Sequence, residues 1–258
     1  MTTFPEGTFT PRPAPGSPLR MLAAQSGTEL RLALRHGEQV LLTLLIPVVL
    51  LVGLTALAVV PLPEPRVAVV TPGVLALAVM STAFTGQAIA LGFDRRYGVL
   101  RRLAATALPR WLLVAGRLVA VLGVVAVQVV VLGAIAAALG WRPELSGIGW
   151  ALVLVLLGCA AFGALGLLLG GSLRAEITLA VANLVWFVLL LAGGIVVPVG
   201  QLPGPLAAVA ALLPSGALAE GLRTALTAGQ APAPGPVLVL LVWTAAASAL
   251  AVRTVRLR

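Results

Sequence analysis

The sequence contains no lysine, one histidine and one cysteine. Without lysine it cannot form a Walker A loop, whose lysine reaches the β- and γ-phosphates, or a catalytic Schiff base. The single cysteine, Cys159, excludes an intrachain disulfide, and the single histidine, His36, excludes an HExxH zinc site. No acid, base and nucleophile suited to catalysis stand together. We therefore expect a chain that is not itself an enzyme and that binds no metal or cofactor.

Charged residues are also scarce, at 10% of the 258 residues, whereas 60% of the residues are hydrophobic. A soluble domain usually has about 25% charged residues, so this chain has too little polar surface to cover a water-soluble globule. We predict an all-α, polytopic membrane protein. The net charge of +9 comes from arginines that flank apolar stretches. We attribute it to membrane topology and expect no nucleic-acid partner.

Six apolar stretches approach the roughly 20 residues that a helix needs to cross a bilayer. They lie at about residues 40–60, 73–93, 111–139, 148–170, 177–197 and 236–252. We group them into one transmembrane domain, residues 19–258. The preceding segment, 1–18, is rich in Pro, Gly and Thr, lacks the apolar region of a signal peptide and is expected to be a disordered cytoplasmic tail.

The arginines divide unevenly between the two sides of the predicted bundle. The N-terminal region, the 94–110 and 171–176 loops and the C-terminal tail hold 13 of them. The 61–72, 140–147 and 198–235 segments hold three. Because short cytoplasmic loops carry the excess of basic residues, we predict that both termini are cytoplasmic.

Residues 19–39 are a candidate interfacial amphipathic helix before the first span. Leu30 and Leu34 fall near one helical face, and Gln25 and Glu29 fall near another. Such a helix lies at the level of the lipid headgroups, where arginine is favoured. An ordinary juxtamembrane linker is the alternative. The candidate interfacial residues are Glu29, Arg31 and Arg35.

Five arginines crowd into residues 93–111, on the predicted inner side. The same stretch has apolar positions at Val99, Leu100, Leu103 and Leu108 that suit contact with a partner or the bilayer. A topology signal with anionic-lipid contact is one interpretation. Five arginines exceed what topology needs, so we favour a docking helix for a partner protein.

Residues 197–235 lie on the predicted outer side, yet they are far from polar. Prolines break the segment into pieces too short to span a bilayer, and we predict two short helices at about 206–213 and 216–226. Because irregular backbone at membrane depth must be buried in protein or line a cavity, these helices should be re-entrant or lie on the surface. A pair of true spans is the alternative, and Glu220 and Arg223 count against it. The prolines are Pro198, Pro203, Pro205 and Pro214.

The predicted spans contain no Asp, Glu, Lys or His away from their ends. Intramembrane ionisable residues mark proton relays, so their absence argues against a proton-driven carrier and leaves sodium sites of carbonyls and hydroxyls open. Near the span ends, Asp94 and Glu176 are expected to pair with neighbouring Arg95, Arg96 or Arg174.

A few small and polar residues within the spans predict helix contacts. Ser81, Thr82 and Gln128 are more suited to interhelical hydrogen bonds than to substrate contact. Gly166 and Gly170 form a G-x-x-x-G pattern in the fourth span. We expect it to pack closely against another helix, in this chain or in a partner.

Three segments stand in a characteristic order. Residues 30–52 run from an amphipathic stretch into a span containing Pro47, residues 93–120 carry an acid-basic, Gly-x-Leu-basic-basic-Leu pattern, and residues 198–226 contain Gly-Leu-Arg at Gly221–Arg223. Together they resemble the permease subunit of ABC-2 type exporters, the drug, polysaccharide and lipid export class. The resemblance implies an ATPase-coupling helix comprising Asp94, Arg95, Arg96, Gly98, Leu100, Arg101, Arg102, Leu103 and Pro109. It implies outer re-entrant helices that include Pro203, Pro214, Glu220 and Arg223.

The resemblance also implies a function and partners. The chain would be the membrane-spanning permease of an ATP-driven exporter, moving a hydrophobic or amphipathic drug, lipid or glycoconjugate out of a bacterial cytoplasm across the plasma membrane. A separate cytoplasmic P-loop ATPase would bind ATP and magnesium, and a second copy or a sister permease would complete the pathway. An ion-coupled carrier, a non-transporting scaffold subunit and, least suited, an integral membrane enzyme are the alternatives.

Overall fold

The computed structural model describes residues 16–35, 37–57, 60–105 and 109–254, which form helices and short connections and, in these ranges, no strand. The all-α prediction is confirmed. Most of the predicted tail, 1–15, and His36 lie outside the described residues. The α-helices of the described part are α1 (Pro18–Arg35), α2 (Gly37–Ala56), α3 (Arg66–Met80), α4 (Gln87–Arg96), α5 (Val99–Ala104), α6 (Arg110–Ala138), α7 (Ile148–Ser172), α8 (Ala175–Ala192), α9 (Gly204–Leu212), α10 (Pro214–Ala228) and α11 (Pro234–Thr254).

Five continuous helices in the described part are long and apolar enough to cross a membrane. They are Arg66–Arg96, Trp111–Ala138, Leu145–Ser172, Ala175–Ala192 and Pro234–Thr254, and they coincide with the second to sixth predicted spans. The first predicted span, 40–60, overlaps α2, which has a shorter apolar stretch at Thr43–Ala56. The pair α9 and α10 is bent by 92° and adds a further crossing only if it forms one broken span.

The helix from Arg66 to Arg96 forms the core of the bundle. It consists of α3, a π-helical turn at Ser81–Gly86, and α4. Of the most apolar 18-residue stretch of this helix, 83% is buried inside the chain. The corresponding share for Pro234–Thr254 is 11%. The helices α2, α6, α7 and α10 pack around α3, and α7 and α8 pack around α4. A helix that is apolar on all sides suits this central position.

Close approach of α7 to this central helix depends on the predicted G-x-x-x-G pattern. A Cβ on Gly166 would lie 2.8 Å from the carbonyl oxygen of Phe84, and a Cβ on Gly170 would overlap the carbonyl oxygen of Ala88. The predicted close packing is therefore confirmed, and the partner helix belongs to the same chain. Small residues allow such backbone contact, which drives helix association in membranes.

The helix predicted within residues 19–39 is present as α1, and it lies along α6. Gly123 of α6 faces Leu30, and Gly116 faces Gln25. Leu34, predicted on the same face as Leu30, is exposed. The side of α1 that contacts α6 therefore carries both a polar residue, Gln25, and an apolar residue, Leu30. Each of them packs against a glycine of α6.

The glycine contact predicts a position-specific loss of stability within α7. Gly170→Ala should lower the free energy of unfolding by about 1–3 kcal/mol, because its new methyl group overlaps backbone that cannot rotate away. The matched control is Gly149→Ala in the same helix, where a Cβ meets nothing within 4 Å. The control should be neutral or slightly stabilising, since alanine favours a helix. Unfolding of the detergent-solubilised chain measures both, and equal stability of the two variants would contradict the packing.

Candidate functional site

Charged residues gather at one end of the bundle, hereafter the arginine-rich end, which contains Arg95 and Arg96 at the end of α4. The C-terminal ends of α7 and α11 lie at the same end, where the hydroxyl of Ser172 donates to that of Thr254 across 3.3 Å. Here the chain reverses at Gly98, which has a φ of +69°. A left-handed backbone of this kind favours glycine, and α5 follows immediately.

The predicted docking segment is therefore divided into two pieces, the end of α4 and the short helix α5. Tyr97 and Arg102 are exposed, and the guanidinium of Arg102 donates to the carbonyl of Tyr97 across 3.1 Å. Leu100 and Leu103 are half-buried, and Pro109 is exposed at the start of α6. Leu108 and the side chains of Arg101 and Arg110 lie outside the described residues.

Each of the three charged residues that end α4 has a different partner. Asp94 accepts a hydrogen bond from the guanidinium of Arg117 on α6. Arg95 donates to the carbonyl of Gly170 at 3.0 Å and of Leu173 at 3.2 Å. These carbonyls belong to the C-terminal end of α7, where they have no helical partner. Arg95 thereby joins the central helix to α7.

The pairing expected for Glu176 is confirmed, and the pairing expected for Asp94 is wrong. Glu176 pairs with Arg96 between α8 and α4. Asp94 pairs with Arg117, not with a neighbour in sequence, because adjacent residues of a helix point in different directions. Arg117 lies within the third predicted span, and a charge at that depth needs a partner, which is the sequence signal that points to this pair.

The two ion pairs differ in burial. The side chains of Arg117 and Asp94 are 13% and 26% exposed. Those of Arg96 and Glu176 are 51% and 62% exposed. An exposed pair contributes little because water and salt screen it, whereas breaking a buried pair leaves an uncompensated charge. The pair of Asp94 and Arg117 is therefore a structural tie, and Arg96 stays accessible.

The candidate interfacial residues separate in the structure. Arg31 and Arg35 are exposed on α1. Glu29 is half-buried on the side of α1 that faces the bundle, and its carboxylate accepts a hydrogen bond from the amide of Gln25 at 3.1 Å. Glu29 lines a cavity together with Asp94 and Arg117. The structure therefore brings one of the three predicted residues to the arginine-rich end of the bundle.

At the other end of the bundle, Arg223 of α10 is buried and holds the chain that follows α8. Its guanidinium donates to the carbonyls of Gly194 at 2.9 Å and Ile195 at 2.7 Å, and it lies 3.5 Å from the carboxylate of Glu220. It therefore satisfies carbonyls that no helix satisfies. Pro203 precedes α9 and Pro214 begins α10, so the two short helices predicted here are present.

Polar residues at the π-helical turn form the interhelical hydrogen bonds that the sequence predicts. The hydroxyl of Thr82 donates to the side-chain oxygen of Gln128 at 2.8 Å, and the indole of Trp186 donates to Ser81 at 2.8 Å. These bonds tie the central helix to α6 and α8. The π-helical turn itself has no signal in the sequence.

Comparison with known protein families matches residues 24–227 to the family described as ABC-2 type transporter. No curated protein matches the chain. The matched region runs from α1 through most of α10, so it contains both the arginine-rich end and the buried Arg223.

The different burial of the two ion pairs predicts different costs of breaking them. Asp94→Asn should lower the free energy of unfolding by about 2 kcal/mol, because it leaves the half-buried Arg117 guanidinium without a counter-charge. The double variant Asp94→Asn with Arg117→Gln should recover part of this loss, since both charges are then removed.

The matched control is Glu176→Gln in the exposed pair, which should lower the free energy of unfolding by less than about 1 kcal/mol. Intrinsic tryptophan fluorescence during unfolding of the detergent-solubilised chain measures all three variants. Similar losses for Asp94→Asn and Glu176→Gln would contradict the structural role of the buried pair.

Proposed function

Because the chain belongs to the ABC-2 type transporter family, we propose that it is the membrane permease of an ATP-driven exporter. Its substrate is a hydrophobic or amphipathic molecule, a drug, lipid or glycoconjugate, which leaves the cytoplasm through it. The family match makes the chain a membrane transport component. The absence of lysine excludes a Walker A loop in this sequence, so ATP and magnesium bind to a separate cytoplasmic P-loop ATPase.

The observation that carries this proposal is the connection of the exposed arginine segment to the central helix. Arg96 ends the helix Arg66–Arg96, and α5, which carries Arg102, follows after the two-residue turn at Tyr97 and Gly98. Arg95 joins that helix to α7, and Arg117 joins it to α6. A partner that moves the exposed residues around Arg96 and Arg102 therefore moves three spans together. Such an arrangement suits the passage of force from an ATPase.

We propose a six-span topology in which α2 is the first span and the Arg66–Arg96 helix is the second. Then α6, α7, α8 and α11 are the remaining four, within a domain that covers residues 19–258. The excess of arginine at one end supports a cytoplasmic location of that end and of both termini, in the plasma membrane of a bacterium. Arg31 and Arg35 are exposed on α1 and can contact lipid headgroups, which supports a location of α1 at the inner membrane surface.

The outer connection between the last two spans is re-entrant in this topology. The 92° bend between α9 and α10 supports this proposal, because two short helices at such an angle do not form one straight span. Arg223 supports this arrangement because its guanidinium is surrounded by carbonyls and Glu220 in place of water. A charge at membrane depth persists when it has such partners.

The transport pathway in this proposal forms between two permeases, either two copies of the chain or this chain and a sister permease. The peripheral helices support this. Within one chain, only 28% of the most apolar stretch of Ala175–Ala192 is buried, and only 11% of that of Pro234–Thr254. Their remaining apolar surface is available to lipid and to a second permease.

Charge reversal in α5 tests the coupling. Arg101→Glu with Arg102→Glu should abolish recovery of the ATPase with the tagged full chain, because a partner surface that attracts two arginines repels two glutamates. The amount of chain inserted in the membrane should not change. The measurement is the ATPase-to-permease ratio, together with the ATP hydrolysis, after purification in mild detergent.

The matched control for this test is Arg142→Glu, an exposed arginine in the predicted outer loop between α6 and α7. This variant should retain the ATPase at the wild-type ratio. Retention of the ATPase by the α5 variant, or an equal loss in the control, would contradict docking at α5.

A further inference from the structure

A cavity of about 300 Å³ lies between α1, α2, α6 and the central helix. The charged residues that line it are Glu29, Asp94 and Arg117. A water molecule occupies about 30 Å³ in the liquid, so the space suits a small polar group with part of an attached chain. The coupling described above uses Asp94 and Arg117 as a tie and gives no role to Glu29.

Among the residues that the structure describes, the lining carries one negative charge in excess. Two carboxylates and one guanidinium face the cavity, and Arg117 already pairs with Asp94. In the described part of the chain, Glu29 has no cation within salt-bridge distance, and its carboxylate accepts a hydrogen bond from the neutral amide of Gln25. A half-buried carboxylate is stabilised by an opposite charge. The cavity therefore favours a cationic group at Glu29.

The walls of the cavity change from charged to apolar along the central helix. Thr82 and Asp94 mark its length on that helix, and twelve residues of helix span about 18 Å. Between them the cavity is lined by the polar Gln87 and by small apolar side chains of the central helix and α6. The apolar lining residues there include Ala90, Ala120 and Val121. The charged residues at one end and the apolar residues along the wall match a molecule with a charged head and an apolar chain.

A second polar group lies at the inner end of the cavity. Gln128 is 1% exposed and accepts the hydrogen bond of Thr82, which lines the cavity. The amide nitrogen of Gln128 is buried and has no hydrogen-bond partner among the described residues. A buried donor of this kind is costly to leave unpaired. Gln128 lies behind the wall of the cavity, so Thr82 is the polar group that a ligand meets at the inner end.

The cavity reaches the surface beside α1. Leu32 of α1 lines it and is 50% exposed. In the proposed topology α1 lies at the inner membrane surface, so the rim is at the level of the inner headgroups. A molecule held in the inner leaflet reaches Glu29 from the side without crossing the aqueous phase.

We propose that this cavity binds an amphiphile with a cationic head, a primary or quaternary ammonium. The head lies against the carboxylate of Glu29, and the apolar part lies along Ala90 and Val121. Binding is a property of this chain alone. The further role of the cavity, as the place where the exported substrate is taken from the inner leaflet, rests on the proposed function.

The test uses the full chain in phosphatidylcholine nanodiscs and two fluorescent probes with the same dodecyl chain, one with a trimethylammonium head and one with a sulfonate head. Fluorescence anisotropy, corrected with empty nanodiscs, gives each Kd. The wild-type chain should bind the ammonium probe at least tenfold more tightly than the sulfonate probe. Glu29→Gln, which preserves shape and removes the charge, should weaken ammonium binding at least tenfold.

Two further variants separate charge from space and from global effects. Ala90→Leu fills the apolar wall and should weaken binding of the ammonium probe with Glu29 intact. Glu144→Gln makes the same chemical change at an exposed carboxylate in the connection between α6 and α7, and it should bind both probes as the wild-type chain does.

Equal affinity for the two probes, unchanged ammonium binding in Glu29→Gln, or an equal loss in Glu144→Gln would overturn the site. Failure of the proposed function has a different signature. If the chain binds the ammonium probe through Glu29 but no ATPase associates with it, the cavity stands and the exporter assignment fails. If the ATPase associates and Glu29→Gln binds normally, the exporter assignment stands and the cavity assignment fails.

Discussion

Close backbone contact with the central helix is the constraint on which the rest of this structure depends. In the hydrocarbon region helices gain little from the hydrophobic effect, so they associate mainly through close packing. Gly170 meets the backbone at Ala88 near one end of that helix, and Gly73 meets the backbone at Ile195 near the other. Because backbone contacts cannot rotate away as side chains do, a displacement of the central helix has to move its neighbours with it.

The charged residues reinforce the same helix at both ends. Arg95 and the pair of Asp94 and Arg117 fix its arginine-rich end, and Arg223 binds carbonyls beside its other end. Each of these charges has polar partners, which lowers its cost at membrane depth. Arg102 donates to the backbone carbonyl of Tyr97 in its own segment and remains exposed. Burial thus separates the arginines that hold the bundle from those that a partner can reach.

Much of this fold follows from sequence because long apolar stretches have few alternatives to helices in a membrane. The five long spans were predicted on that basis. The helix before the first span was predicted from its amphipathic pattern, the short helices around Pro214 from the prolines, and the close packing of Gly170 from its G-x-x-x-G spacing. Three features were not predicted. The partner of Asp94 lies on another helix, the π-helical turn depends on tertiary packing, and the cavity beside Glu29 exists because α1 lies along α6. Each depends on which helices are neighbours, which apolar periodicity does not specify.

Export driven by ATP can be measured as transport by the reconstituted chain and its ATPase. The full chain and its ATPase are reconstituted in inside-out proteoliposomes. A self-quenching fluorescent amphiphile is added to the surrounding buffer, from which it enters the outer leaflet. ATP with magnesium should drive accumulation in the lumen, a non-hydrolysable analogue should not, and collapse of the proton and sodium gradients should leave the rate unchanged. Accumulation driven by either gradient without ATP would contradict the account in favour of a carrier. Absence of transport in the ATP-hydrolysing complex, across several amphiphiles, would contradict it in favour of a scaffold.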